Sequence, residues 1–239
     1  MLTAIIVTII FNLIAYFTLI ARPKLFGVKL FKPMIYNLKL SITPIFILVG
    51  VLIVELFLLW ISAVTGQSWI GTISYVFLFL GLVAWFLYLP NSGYLITELN
   101  LTHREVDKKE VPIWYDIIAV LSLSLSGVLN MVFNIVLLQL IFIFIVDPAN
   151  ISSLINGWFW LITGLSFFIL SFGIYMGRYI RFYSWDLLHP ASFIKKLVDH
   201  FKVRTNLVAG IVFTFLYGAF FGLFYLLTFF TPFLDVFKK

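Results

Sequence analysis

The chain contains no cysteine, which excludes disulfides, thiol nucleophiles, iron–sulfur clusters and cysteine-ligated zinc from its chemistry. Charge is nearly as scarce. Only 11% of the 239 residues are charged, against about 25% in ordinary globular domains, too little polar surface to cover a water-facing globule. Histidine is limited to His103, His189 and His200, all outside the longest apolar runs. No HExxH, Gly-x-Ser-x-Gly, glycine-rich phosphate loop or paired-histidine haem pattern occurs. Glu98, Asp116 and Asp186 would be the oxygen donors of a metal site, but neither DxD-like spacing nor a histidine accompanies them. No metal and no cofactor is therefore expected. What the chain has in excess is apolar residues, 63% of the total, and this composition reads as an integral membrane protein. The formal charge of +6 then reads as a topology signal near anionic headgroups rather than as a nucleic-acid footprint.

A helix that crosses about 30 Å of hydrocarbon needs roughly 20 apolar residues. Six stretches qualify: Leu2–Ala21, Pro44–Val64, Trp69–Leu89, Trp114–Val146, Trp158–Tyr179 and Leu207–Phe229. The expected fold is an all-α, polytopic transmembrane bundle of about six spans, a single integral membrane domain over residues 1–239. Trp60, Trp69, Trp85, Trp114, Trp158, Trp160 and Trp185 fall at the edges of these runs, where indole rings favour the headgroup layer. The first run lacks a basic leader and an Ala-x-Ala-like cleavage site, so it reads as a retained span. Lysine and arginine number five in residues 21–41, three in 90–113 and six in 178–206, with only Lys238 and Lys239 elsewhere. Alternate crossings put those fourteen of sixteen on one side, which the positive-inside rule makes cytoplasmic, with both termini outside.

The run from Trp114 to Val146 would be about 50 Å long if fully helical, more than one crossing needs, so it tilts, kinks or hides a break. Ser122, Ser126, Asn130 and Asn134 recur along it at four-residue steps, a stripe that reads first as interhelical glue and second as the lining of a path. Gly173-Ile-Tyr-Met-Gly177 and Gly218-Ala-Phe-Phe-Gly222 are small-xxx-small patterns of close helix packing. Two basic segments, 24–40 and 192–204, read as interfacial. In the second, Phe193, Ile194, Leu197, Val198 and Phe201 share a helical face while Lys195, Lys196, Lys202 and Arg204 lie elsewhere, a pattern suited to an anionic leaflet. Asn150-Ile-Ser152 matches a glycosylation acceptor, a short pattern that arises by chance.

Two groups of residues are candidates for chemistry. Glu55 lies in the middle of the second run, where a charged carboxylate costs at least about 2.5 kcal/mol, so it is protonated, paired or turned toward water inside the bundle. The other group sits at the basic ends of the third to fifth runs. Pro90-Asn91-Ser92-Gly93-Tyr94 stops the third helix, and Ser92 is placed to cap a short helix through Tyr94, Thr97 and Glu98. The fourth run opens with Trp114-Tyr115-Asp116, and the fifth closes with Tyr175, Arg178 and Arg181, followed by Ser184-Trp185-Asp186. Three residues apart on a helix, Arg178 and Arg181 sit about 4.5 Å apart along the axis, close enough to grip one anion. Their alternative role is to anchor topology while Asp116 or Asp186 pairs with them.

These motifs resemble those of the bacterial membrane-protein family catalogued as domain of unknown function 1361. The resemblance rests on Trp85-Phe-Leu-Tyr-Leu-Pro90-Asn91-Ser-Gly-Tyr94-Leu-Ile-Thr97-Glu98, on Trp114-Tyr115-Asp116, and on Ser171 to Arg181 with Ser184-Trp185-Asp186, and covers about residues 80–190. Ser92-Gly93 stands where the family pattern has Ala-Pro, and Glu98 where it has Asp. The resemblance implies a multi-pass protein of the bacterial cytoplasmic membrane and no particular reaction. Three functional readings follow. The first is a non-enzymatic component that binds an anionic headgroup or phosphate-bearing ligand at its cytosolic face. In it Arg178 and Arg181 supply charge, Asn91 and the Ser92-Gly93 backbone supply donors, and Tyr94, Tyr115, Tyr175 and Trp185 shape the pocket. The second is a transporter or channel coupled to protons through Glu55. The third is an enzyme acting on a lipid-linked substrate through Glu98, Asp116 or Asp186. The expected partners are anionic lipids of the bilayer, not nucleic acid.

Overall fold

A computed structural model describes residues 2–100, 111–146, 156–182 and 189–237 of the chain, and every element among them is helical. Six helices are long and apolar enough to cross a membrane. They are α1 (Leu2–Phe26), α2 (Lys32–Thr65), α3 (Ser68–Tyr88), α5 (Ile113–Val146), α6 (Gly157–Tyr175) and α8 (Arg204–Tyr225). Short pieces complete the chain. A five-residue helix α4 (Pro90–Tyr94) and a 3-10 turn (Leu95–Asn100) continue α3, and π-helical turns extend α6 (Met176–Ile180) and α8 (Leu226–Phe230). The amphipathic helix α7 (Pro190–Phe201) joins α6 to α8, and α9 (Thr231–Phe237) follows the last π turn. The spacing of apolar runs therefore predicts the number of spanning helices, and α5 is one continuous helix over its described length.

The boundaries differ at α2. It begins at Lys32, with Pro33 in its first turn where the missing N–H is no loss, and continues through Pro44. The segment 24–40 is accordingly not a separate interfacial helix. Lys24 belongs to the last turn of α1, which Gly27 ends at φ 66° while donating to the Pro23 carbonyl at 2.9 Å, and Lys32 to Leu40 form the first turns of α2.

Helix α5 is the axis of the bundle. Its apolar window is 72% buried, against 17% for α1, α2, the α3 span and the α8 span, whose outer faces are left apolar and exposed. The polar stripe on α5 explains how the surrounding helices are registered. Asn130 Nδ2 donates to Asn12 Oδ1 on α1 and to Ser41 Oγ on α2, each at 3.0 Å, and Asn12 Nδ2 returns a bond to Asn130 Oδ1 at 2.7 Å. One turn on, Asn134 Oδ1 accepts from Trp85 Nε1 at 2.9 Å, and its amide reaches Ser92 Oγ at 3.4 Å. Ser41 and Ser92 bond reciprocally, each hydroxyl donating to the other's carbonyl at 2.9 and 2.8 Å. Contacts of this kind contribute about 1 kcal/mol or less each inside a membrane protein. Their sum fixes which residues of α1, α2, α3 and α4 meet α5. Trp85 is thus not a headgroup-layer residue: its ring is buried, 3% exposed, because its N–H has an acceptor in the core.

A second polar node sits further along α5, where Gln139 Nε2 donates to Thr163 Oγ1 on α6 at 2.9 Å and Gln139 Oε1 accepts from Tyr225 on α8 at 3.0 Å. Helices α6 and α8 pack on each other through Gly218, where a Cβ would fall 2.5 Å from the Phe168 ring. This agrees with reading its small-xxx-small pattern as close packing. They join the remainder of the bundle through this node on α5 and through α4.

Candidate functional site

Proline 90 has no N–H to continue the α3 ladder, so Leu89 donates to Phe86 three residues back, and the chain restarts as α4. The break is a wedge rather than an end. Gly173 on α6 lies against the Pro90 ring, where a Cβ would come within 2.7 Å, and Gly127 on α5 lies against the Ser92 carbonyl and Leu95, where it would come within 2.9 and 2.7 Å. Within α4, Ser92 and Gly93 face inward, Ser92 bonded to Ser41 and Gly93 against Met131 and Ile174. Asn91 and Tyr94, three residues apart and so on one face, turn the other way.

They turn into a crevice of about 960 Å³ between the start of α2, the α3–α4 break, the end of α6 and the first turn of α7. Tyr36, Asn37 and Leu40 come from α2, Phe86 and Tyr88 from α3, Ile169, Phe172, Gly173 and Gly177 from α6 and its π turn, and Phe193 from α7. Arg178 and Arg181 line it too. Arg178 Nη1 donates to the Tyr94 hydroxyl at 3.3 Å and lies 3.9 Å from Glu98 Oε1, its guanidinium 5.9 Å from the centre of the Tyr94 ring. Glu98 is 8% exposed and also accepts from Asn37 Nδ2 at 3.2 Å, so one carboxylate ties α2 and α6 to the 3-10 turn. Arg181 is exposed, and among the described residues it has no ion-pair partner. Its φ of 59° makes it the only non-glycine left-handed residue among those described, a conformation costing about 1–2 kcal/mol. The turn is closed by bonds from Arg181 and Phe182 to the Met176 carbonyl.

The predicted site residues thus divide into five groups. Asn91, Tyr94, Arg178 and Arg181 meet at the crevice, with Glu98 behind Arg178. Ser92 and Gly93 are adjacent in the chain but serve packing, so Ser92 is not a helix cap. Tyr115 and Asp116, in the first turn of α5, belong to a separate cluster with α1. There Asp116 pairs with Arg22, Nε to Oδ1 at 3.3 Å and Nη2 donating to Oδ2 at 3.5 Å, and the Tyr115 hydroxyl donates to the Thr18 carbonyl at 2.7 Å. This corrects the expectation that Asp116 pairs with Arg178 or Arg181. Helix α1 runs antiparallel beside α5, so its last turn meets the first turn of α5 across a long stretch of sequence. Tyr175 is also elsewhere: its hydroxyl donates to the Asn206 carbonyl and pairs with His200 Nε2, each at 3.0 Å, docking α7 and α8 on α6. Trp185, Asp186 and the Asn150–Ser152 acceptor lie outside the described residues. Asn37 was not singled out by sequence, and Phe193 only as part of the apolar face of an interfacial helix. Asn37 is an ordinary polar residue in a basic segment, and nothing local marks it as a partner of Glu98.

Among the described residues no three His, Asp or Glu side chains gather as a metal site would require. Glu55 is 2% exposed with Oε2 lacking any hydrogen-bond partner, and it lies about 27 Å along α2 from Asn37 at helical rise. It is no part of the crevice. The helix α7 carries Ile194, Val198, Lys195 and Lys196 to the surface. In its last turn Lys202 donates to Asp199 at 2.9 Å and holds that carboxyl below the usual carboxylate range.

A family model described as "Protein of unknown function (DUF1361)" matches residues 36–220, from the first turn of α2 into α8, so it takes in Asn37, Glu55 and the whole crevice and is wider than the motif region near 80–190. No curated protein and no solved structure matches the chain.

Proposed function

We propose that this chain, which belongs to the DUF1361 family, is a non-enzymatic, multi-pass protein of the bacterial cytoplasmic membrane that binds a phosphate-bearing anion at its cytosolic face. The observation that carries this reading is that Arg178 and Arg181 line one crevice together with Tyr94, whose hydroxyl accepts from Arg178, and Asn91, whose amide donates to the Tyr88 carbonyl. Arg178 is oriented by Tyr94 and only loosely met by Glu98 at 3.9 Å. The pair therefore keeps capacity for a doubly charged ligand, which guanidinium groups hold through paired donors. The lysine and arginine distribution supports placing this end of the bundle in the cytoplasm.

Dihexanoyl phosphatidic acid, a phosphomonoester too short to be anchored, is the test probe. Charge-assisted hydrogen bonds contribute about 1.5–3 kcal/mol each, so Arg178→Ala with Arg181→Ala lowers its retention by purified protein at least about tenfold. Unchanged retention rejects the proposal. One observation favours a second reading, proton-coupled transport: the buried, unpartnered Oε2 of Glu55. Against it, Asn130 spends its amide on α1 and α2, and Asn134 on Ser92 and on the Asn130 carbonyl of its own helix, rather than on a path. Proteoliposome flux that survives Glu55→Gln would remove it.

A further inference from the structure

The crevice changes character along its length. At one end stand Arg178 and Arg181; at the other the lining is Phe86, Ile169 and Phe172. From Ile169 to Arg178, just past the end of α6, is about 13 Å at helical rise, longer than a phosphate needs. The apolar end is also open to the side. Ile169 is 55% exposed and Phe86 46% exposed, on helices whose outer faces are apolar throughout. Helix α4 is wedged against α6, its Pro90 ring seated against Gly173, and the crevice beside it is flanked by the exposed apolar side chains Phe86 and Ile169. Gly177 lines the crevice with nothing within 4 Å of where a Cβ would be, which leaves room beside the arginines. The mouth is bordered by Phe193 of α7, whose ring packs 4.3 Å from Phe182, and α7 presents Lys195 and Lys196 beside an apolar face.

We infer that the crevice takes an anionic phospholipid sideways from the bilayer, its phosphate held at Arg178 and Arg181 and an acyl chain running down the Phe86, Ile169 and Phe172 wall. This rests on the anion-binding reading and adds the ligand's second half. A soluble phosphate would use only the arginine end. A phospholipid satisfies both ends, and the lateral gap lets it enter without leaving the membrane. Charge selects the headgroup, and the chain supplies residence.

The test uses the full chain in nanodiscs of phosphatidylcholine, doped in turn with phosphatidic acid and phosphatidylcholine that carry a photoactivatable group in the acyl chain. The phosphatidic acid probe is expected to label peptides containing Phe86 and Ile169–Phe172 at least about tenfold more than the phosphatidylcholine probe. Arg178→Ala with Arg181→Ala should abolish that excess, and Ile169→Trp, a change at an exposed position that fills the gap, should cut it several-fold while leaving thermal unfolding unchanged. Excess dihexanoyl phosphatidic acid should displace the long-chain probe only at concentrations at least about tenfold above it. Equal displacement, with Ile169→Trp without effect, overturns the lipid assignment but leaves anion binding intact. Equal labelling by both probes, independent of the arginines and with no dihexanoyl phosphatidic acid retained, overturns both readings.

Discussion

Replacing Asn130 by leucine removes three side-chain bonds at once: two to Asn12, one donated and one accepted, and one donated to Ser41 Oγ. Leucine keeps the volume and helix propensity, so the loss is polar rather than steric. At about 0.6 kcal/mol per intramembrane bond, with a ceiling near 1.7, the three bonds sum to about 2 kcal/mol. Asn12 keeps its bond to the Thr8 carbonyl at 2.8 Å, but its Oδ1 is left without a donor inside the bundle, which adds about 1 kcal/mol. Ser41 keeps its bond to Ser92 and adds little. The expected loss is about 3 kcal/mol in the unfolding free energy of purified protein in mixed micelles. Asn12→Leu alone should cost about 2 kcal/mol, because it breaks two of the same bonds and leaves Asn130 Oδ1 without its donor. With both replaced the two shared bonds are lost only once and no orphan remains, so the double variant should be about 3 kcal/mol more stable than the sum of the two losses predicts. Additivity within about 0.5 kcal/mol would show that Asn12 and Asn130 do not form a pair, and would refute the account of how α1 is registered on α5.

Three further outcomes follow from the same geometry. Asp116→Ala leaves the 11%-exposed Arg22 side chain without its counter-ion and should cost about 3–5 kcal/mol, read from the same unfolding titration, whereas replacing both partners with apolar residues should recover most of it. Gly127→Ala should cost about 1–3 kcal/mol by overpacking, because its Cβ meets the Ser92 carbonyl, while Gly218→Ala should cost less because it meets a Phe168 ring that can turn; thermal shift of the two variants compares them directly. Single cysteines at Val28, Asn91 and Lys202 should react with an impermeant maleimide only after the inner face is opened, and one at Gln67 should react in intact cells. Labelling of Asn91 and Gln67 from the same side would overturn the expected crossing of α3.

Much of the fold was legible because a spanning helix is specified by a length of apolar sequence, and that length is set by the bilayer. The Pro90 break and the α5 asparagine stripe were legible for local reasons too: proline lacks a donor, and four-residue spacing keeps side chains near one face. The pairing of charged residues was not. Asp116 meets Arg22 rather than Arg178 because α1 lies beside α5, and nothing within either helix states which neighbour it will have. Trp85 was misplaced for a related reason: an indole at the end of an apolar run fits the headgroup layer equally well, and only the arrival of Asn134 from another helix makes burial favourable. The turn 91–94 was read as one cluster of donors. Its helical phase, which sends Ser92 and Gly93 inward and Asn91 and Tyr94 outward, depends on contacts made by Ser41 and Met131.

That phase connects the core to the crevice. Helix α4 has only five residues, too few to hold a conformation by its own hydrogen bonds. It is held instead by the reciprocal Ser41–Ser92 bonds, by Asn134 and by the close approach of Gly127 and Gly173. A rotation of α4 by one residue would carry about 100° of phase, enough to bring Ser92 toward the crevice and withdraw Tyr94 from Arg178. The position of the Arg178 guanidinium therefore depends on polar contacts in the bundle interior, which touch no ligand. This gives the buried network a role beyond stability: it converts the register of α2 and α5 into the orientation of a crevice wall, and residues that set this orientation need not line the crevice.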